Sequence, residues 1–107
     1  MEVFDWLFSW EGRMVWLTGT TSLRALKLAL NGFIDALRYL RNQYDEYIFP
    51  GFQRYIERVY GYKEWGTELG WDKIIREHSA DDLEAVEVFY RHLHDYYDTI
   101  VAEKADE

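Results

Sequence analysis

The sequence contains no cysteine in its 107 residues, and only one proline. The lack of cysteine excludes a disulfide framework, a thiolate metal site and a cysteine nucleophile. No apolar run reaches the length that spans a bilayer, and the N-terminal residues lack the pattern of a signal peptide. We therefore expect a cytoplasmic protein without a membrane partner, in which 107 residues form a single domain around one core.

Motifs of several enzyme classes are absent as well. The chain has no phosphate-binding Gly-Lys-Ser/Thr loop and no nucleophile elbow, and neither Glu-x-x-His nor His-Glu-x-x-His occurs. We accordingly expect no catalytic residue, no metal and no cofactor.

Negative charge is confined to one part of the chain. Residues 1–62 contain seven acidic and seven basic side chains, whereas residues 63–107 contain thirteen acidic and five basic ones, which accounts for the whole net charge of −8. Such a field repels nucleic acid and attracts cationic partners. Solubility is the simpler explanation of an acidic surface, but it does not require this segregation.

Apolar residues at alternating steps of three and four predict helices. The longest stripe follows a cap at Thr21 or Ser22, ends before Pro50, and consists of Leu23, Leu26, Leu30, Phe33, Leu37, Leu40, Tyr44 and Tyr47. Two shorter helices are marked by Phe52, Ile56 and Val59, and by Trp71, Ile74 and Ile75. Ser79, with Asp82 three residues on, predicts the cap of a last helix that runs to about Val101.

The first 20 residues allow two interpretations. Phe4, Trp6, Phe8 and Trp10 alternate as in a strand that turns at Glu11-Gly12 into a second strand over Met14–Leu17, whereas Val3, Trp6, Leu7 and Trp10 fit a short helix. The fold class is mainly α, a small single-core bundle of three to four helices, with this N-terminal β-hairpin favoured slightly. Residues 1–20 are thus an extended or hairpin segment, 21–103 a helical core and 104–107 a frayed tail.

The last helix presents the most distinctive surface. On a helical wheel Val86, Phe89, Leu93 and Tyr96 share the core face, and the opposite arc is acidic. Upstream, Trp65 lies between two glutamates. Unpaired acids beside aromatics are typical of an interface with a basic partner. The predicted partner-binding residues are Glu64, Trp65, Glu68, Asp81, Asp82, Glu84, Glu87, Asp95, Tyr97 and Asp98.

The histidines of this helix suggest a different function. His92 and His94 lie about 160° apart on the wheel and cannot share one ion. His94 and Asp98, at i and i+4, could hold a divalent metal in an enzyme. A local surface pair is the simpler interpretation, because no further ligand motif accompanies them.

One segment resembles a known family. The stretch "GFQRYIERVYGYKEWGTELGWDKIIREHSADDLEAVEVFYRHLHDYYD" is similar to small acidic bacterial toxin-immunity proteins. The upstream stretch "LTGTTSLRALKLALNGF" looks similar as well, so the resemblance covers roughly residues 14–98. It concerns core and cap positions and carries over no functional residue. The matching positions are Phe52, Ile56, Tyr60, Gly61, Trp71, Lys73, Ile74, Ile75, Ser79, Ala85, Phe89 and Tyr96.

The resemblance and the acidic C-terminal part together favour an inhibitory binding protein. It would neutralise a cognate basic toxin domain, a cationic nuclease, by mimicking the phosphate backbone. A helical adaptor that forms homodimers is the first alternative. It rests on the 20 aromatic residues, six Phe, nine Tyr and five Trp, which are more than one small core is expected to bury. The second alternative is the metal-dependent enzyme that uses His94 and Asp98.

Overall fold

The structure of the protein is a computed structural model that describes residues 2–13, 19, 21–41, 48–62 and 69–105. These residues form five α-helices and no strand: α1 (Glu2–Ser9), α2 (Leu23–Arg41), α3 (Ile48–Val59), α4 (Trp71–Glu77) and α5 (Asp82–Ala105). The mainly α fold class is thereby confirmed, with more helices than the three to four predicted.

Helix α5 connects the other elements. Its 24 residues give a length of about 36 Å, close to the longest dimension of the molecule, 38 Å. It packs against α2, α3 and α4 and contacts α1 through side chains. Its buried residues are Ala85, Val86, Phe89, Tyr90 and Leu93, of which Val86, Phe89 and Leu93 lie on the core face that the helical wheel predicts. None of the described helices has both the length and the apolar character needed to cross a membrane.

The favoured extended interpretation of the N-terminus is wrong for Glu2–Ser9, which form helix α1. Alternating aromatics fit a strand, but in a helix Val3, Phe4 and Leu7 share one face and become buried together. The helix also satisfies its backbone hydrogen bonds without a partner strand. Met14–Leu17, the predicted second strand, lie outside the described residues.

Aromatic packing holds α1 against α5. The Phe4 ring meets Tyr97 edge-on at 5.0 Å between centroids, and Phe8 does the same at 5.5 Å. The buried Tyr90 hydroxyl donates a hydrogen bond of 2.8 Å to the Leu7 carbonyl. All aromatic side chains that the structure describes are at least half buried. Within those residues, the expected surplus of exposed aromatics is therefore not found.

Helices α2 and α3 follow the predicted stripes in part. Leu23, Leu26 and Leu30 of α2 are buried, and Phe33 is partly buried against the core. The side chains of the later stripe positions, from Leu37 on, lie outside the described ones. Helix α3 begins at Ile48, so Pro50 falls in its first turn rather than at its first position. The first turn tolerates proline because its N–H groups have no partner within the helix. Val59, predicted to be apolar core, is 45% exposed.

Polar contacts fix α4 between α2 and α3. The Gln53 side chain of α3 accepts a hydrogen bond of 2.6 Å from the Trp71 amide and donates one of 3.0 Å to the Leu69 carbonyl. Lys27 of α2 forms an ion pair of 2.9 Å with Asp72, a buried carboxylate. Trp71, Ile74 and Ile75 are buried as predicted. Helix α5 continues to Ala105, two residues into the segment predicted to fray.

Two leucines of α2 provide a matched test of the core. Leu30 is 1% exposed and Leu28 is 61% exposed. We expect Leu30→Ala to lower the free energy of unfolding by about 2–5 kcal/mol, because it leaves a cavity. Leu28→Ala should change it by less than about 0.5 kcal/mol. Urea denaturation of both variants measures the difference, and similar losses in the two would place Leu30 outside the core.

Candidate functional site

The first of the predicted acidic residues forms the cap of α5. The Asp81 carboxylate accepts a hydrogen bond of 2.8 Å from the Glu84 amide, and the Glu84 carboxylate accepts one of 3.3 Å from the Ala80 amide. The prediction of Ser79 as the cap is wrong, since its hydroxyl donates to the Ile75 carbonyl at 2.7 Å. Asp81 and Glu84 thus both stabilise the start of the helix.

Asp82 has a local partner as well. Its carboxylate lies 2.7 Å from the Arg76 guanidinium, and both side chains are exposed. An exposed pair of this kind contributes about 0–1 kcal/mol to stability. The pair joins the end of α4 to the start of α5, and it partly neutralises the acidic cluster at that corner.

Farther along α5, three predicted residues are exposed and have free carboxylates. Glu87, Asp95 and Asp98 form no ion pair and no side-chain hydrogen bond within the described part of the chain. Arg91 lies one helical turn from both Glu87 and Asp95, but it forms no ion pair with either. These three carboxylates therefore retain their full capacity to meet a cationic group from outside.

The remaining predicted residues are less accessible or undescribed. Tyr97 is half-buried, and its ring packs edge-on against both Phe4 and Phe8 of α1, so it serves the docking of α1 more than an external contact. Glu64, Trp65 and Glu68 lie outside the described residues. The structure brings the other acids together along one helix and the turn before it.

His94 contacts Glu11 and Phe8 rather than Asp98. Its Nε2 donates a hydrogen bond of 2.7 Å to the Glu11 carboxylate, and its ring stacks on Phe8 at 4.5 Å. No bond joins His94 to Asp98 in the structure, and no group of three or more His, Asp or Glu side chains in the described segments is arranged to hold a metal ion. Sequence spacing missed Glu11 because 83 positions separate it from His94.

The other two histidines meet at Tyr60. The Tyr60 hydroxyl is hydrogen-bonded to Nε2 of His92 at 3.0 Å, and its ring lies 4.4 Å from that of His78. His78 in turn donates from Nδ1 to the Ile74 carbonyl at 2.8 Å. Burial lowers the pKa of His92, while Asp95 raises it and Arg91 lowers it to smaller extents. Burial also raises the pKa of Tyr60.

A cleft of about 420 Å³ separates the turn after α1 from the first half of α5. Its walls combine apolar and charged side chains from both elements, and they are Glu11, Gly12, Thr21, Leu83, Val86, Glu87, Tyr90, Arg91 and His94. Among these residues, Glu87 was predicted as a partner-binding residue and His94 as a candidate metal ligand in the alternative enzyme. Leu83 offered a signal, because it lies about 80° from Leu93 on the wheel, outside the apolar stripe.

Comparison with protein families, curated proteins and solved structures found no match to this chain. The similarity to toxin-immunity proteins therefore stays an expectation from sequence.

The role of Asp81 can be tested by stability alone. We expect Asp81→Ala to lower the free energy of unfolding by about 1 kcal/mol, because the Glu84 amide loses its acceptor. Asp81→Asn should lose less, since asparagine also caps helices. Asp98→Ala removes an exposed acid of the same helix and should have an effect below about 0.5 kcal/mol. Urea denaturation that gave equal losses for Asp81→Ala and Asp98→Ala would refute the cap.

The His92 environment predicts a pH dependence. Since the pKa of His92 is lowered from 6.5 in the folded protein, the unfolded chain binds the proton more readily, and stability falls as the pH drops below about 6.5. The slope is at most about 1.4 kcal/mol per pH unit. We expect His92→Gln to reduce the loss of stability between pH 7.5 and pH 5.5. Equal losses in the two proteins, measured by urea denaturation, would contradict this.

Proposed function

We propose that this protein is an inhibitory binding protein, an immunity protein that neutralises a basic toxin domain through the acidic surface of α4 and α5. Residues 69–103 carry nine acidic side chains and three basic ones, a balance of −6. Asp72 is buried with Lys27, and the other eight acids are exposed. A surface of this charge attracts a cationic protein over a distance of about a Debye length.

The single observation that carries the proposal is the set of free carboxylates at Glu87, Asp95 and Asp98. Free carboxylates that lie on a rigid helix offer a partner fixed acceptors at no cost in internal ion pairs. Opposed to the basic face of a nuclease, they would occupy the positions that phosphate groups take.

The formation of a homodimer has less support than the binding of a basic toxin domain. It rests on aromatic residues too numerous for the core, and the described ones are at least half buried. The exposed large apolar side chains among the described residues are Leu28, Val59, Leu83 and Val101. Single exposed residues of this kind are normal for a protein surface.

The proposal predicts that electrostatic attraction controls the rate of association. The partner to test is the basic domain of any secreted protein encoded directly upstream of this gene. Asp95→Asn with Asp98→Asn should slow association about tenfold at low salt and change dissociation less. Asp35→Asn, which removes an exposed charge from α2, should have little effect. Stopped-flow or surface-based kinetics at several salt concentrations give both rates.

A growth assay tests inhibition itself. The upstream toxin domain should stop growth of a bacterial host when expressed alone, and expression of this protein should restore growth. An association rate that changed neither with salt concentration nor with the two substitutions would refute the electrostatic mechanism. A toxin domain that stayed fully active beside this protein would refute the inhibitory function.

A further inference from the structure

The cleft beside α5 has the dimensions of a binding site. Its volume of about 420 Å³ lies within the range of roughly 300–1,000 Å³ that is typical of small-ligand pockets. It opens between Gly12, in the turn after α1, and the first half of α5. A long side chain from another protein can therefore enter it without any movement of the helices.

One side of the cleft is apolar. Leu83, Val86 and Tyr90 line it at successive turns of α5, and Val86 and Tyr90 belong to the buried core. Leu83 is 58% exposed, although it adjoins this apolar wall. Aliphatic chains of lysine and arginine pack on such walls while their charged ends remain at polar groups.

Glu11 is held at the edge of the cleft. His94 donates to its carboxylate at 2.7 Å, and the stacking of His94 on Phe8 fixes the imidazole in turn. Burial, and to a smaller extent the Glu11 charge, raise the pKa of the Tyr90 hydroxyl. The Glu11 carboxylate is therefore close enough to the Tyr90 hydroxyl to act on it electrostatically.

The second carboxylate is Glu87, which is exposed and has no internal partner among the described residues. Arg91 also lines the cleft, but its charge reaches the other side of α5. Burial raises the pKa of Tyr60 and lowers that of His92, and the Arg91 charge lowers both pKa values to a smaller extent. While the His94 imidazole is uncharged, the two carboxylates and the one guanidinium leave the cleft with a net charge of −1.

We propose that this cleft receives an arginine or lysine side chain of the partner protein, with its aliphatic part on Leu83 and Val86 and its cationic end between Glu11 and Glu87. The inference rests on the proposed function for the source of that side chain. It adds a specific contact to the general attraction of the acidic surface, and specific contacts of this kind govern dissociation more than association.

Small probes test the cleft without the partner. We would titrate the full chain with n-butylguanidinium and follow backbone amide chemical shifts. A ligand of this size should bind with a dissociation constant on the order of a millimolar, and Gly12, Leu83 and Glu87 should shift. Neutral n-butylurea, which keeps the chain, and methylguanidinium, which keeps the charge, should each bind about fivefold more weakly or worse.

Two variants assign the charge recognition. Glu87→Gln should weaken n-butylguanidinium binding about two- to fivefold, as expected for an exposed ion pair. Asp35→Asn removes an equal charge on α2 and should leave binding unchanged.

A capped Gly-Arg-Gly peptide should bind at least as well as free arginine, because the proposed source is a protein side chain. Tighter binding of free arginine would instead identify a site for a free amino acid and overturn the proposal.

The outcomes separate this inference from the proposed function. Failure of n-butylguanidinium to shift the cleft amides, or equal binding of n-butylurea, would overturn the cleft proposal while the kinetic test with Asp95 and Asp98 still decided the acidic surface. Conversely, a toxin whose association rate did not depend on the acidic surface would leave the result of the probe titration unchanged. Saturable binding at the cleft that depends on both Glu87 and the butyl chain supports the inference.

Discussion

The burial of one face of α5 against the other four helices is the constraint on which this structure depends. Because the core side of α5 must be apolar along the stretch from Ala85 to Leu93, the charged residues of that segment are confined to the remaining surface. The acidic surface and the core are thus two consequences of one amphipathic helix. Its length, about 36 Å, spreads the carboxylates in a row that a bent or shorter element would not keep.

Periodicity revealed the helices that pack along a continuous stripe. Leu23, Leu26 and Leu30 identified α2, and Trp71 with Ile74 and Ile75 identified α4. Helix α1 escaped this reasoning because aromatic side chains alternate through its eight residues and satisfy the strand and helix patterns equally. The choice depends on α5, which offers Tyr90 and Tyr97 as partners and is not visible in the local sequence.

The sequence predicted the acidic composition of this surface but not the arrangement of its side chains. The sequence placed the charge correctly on the last helix. It did not reveal that Asp81, Asp82 and Glu84 have partners nearby, since Ser79 matched the capping motif equally well and the Arg76–Asp82 pair requires the actual turn. The cleft could not be predicted from local sequence patterns, because it is formed by Glu11 and by residues of α5, which are far apart in the chain.

The contact between α1 and α5 joins the first and last helices of the chain, so it has consequences for synthesis. Leu7 and Tyr90 are 83 residues apart, which makes their contact one of high sequence separation. At about 5–20 residues per second, several seconds pass on the ribosome between the two. During that time Val3, Phe4 and Leu7 have no helix α5 to cover them. The nascent chain therefore presents an apolar segment that chaperones can recognise until α5 has been synthesised.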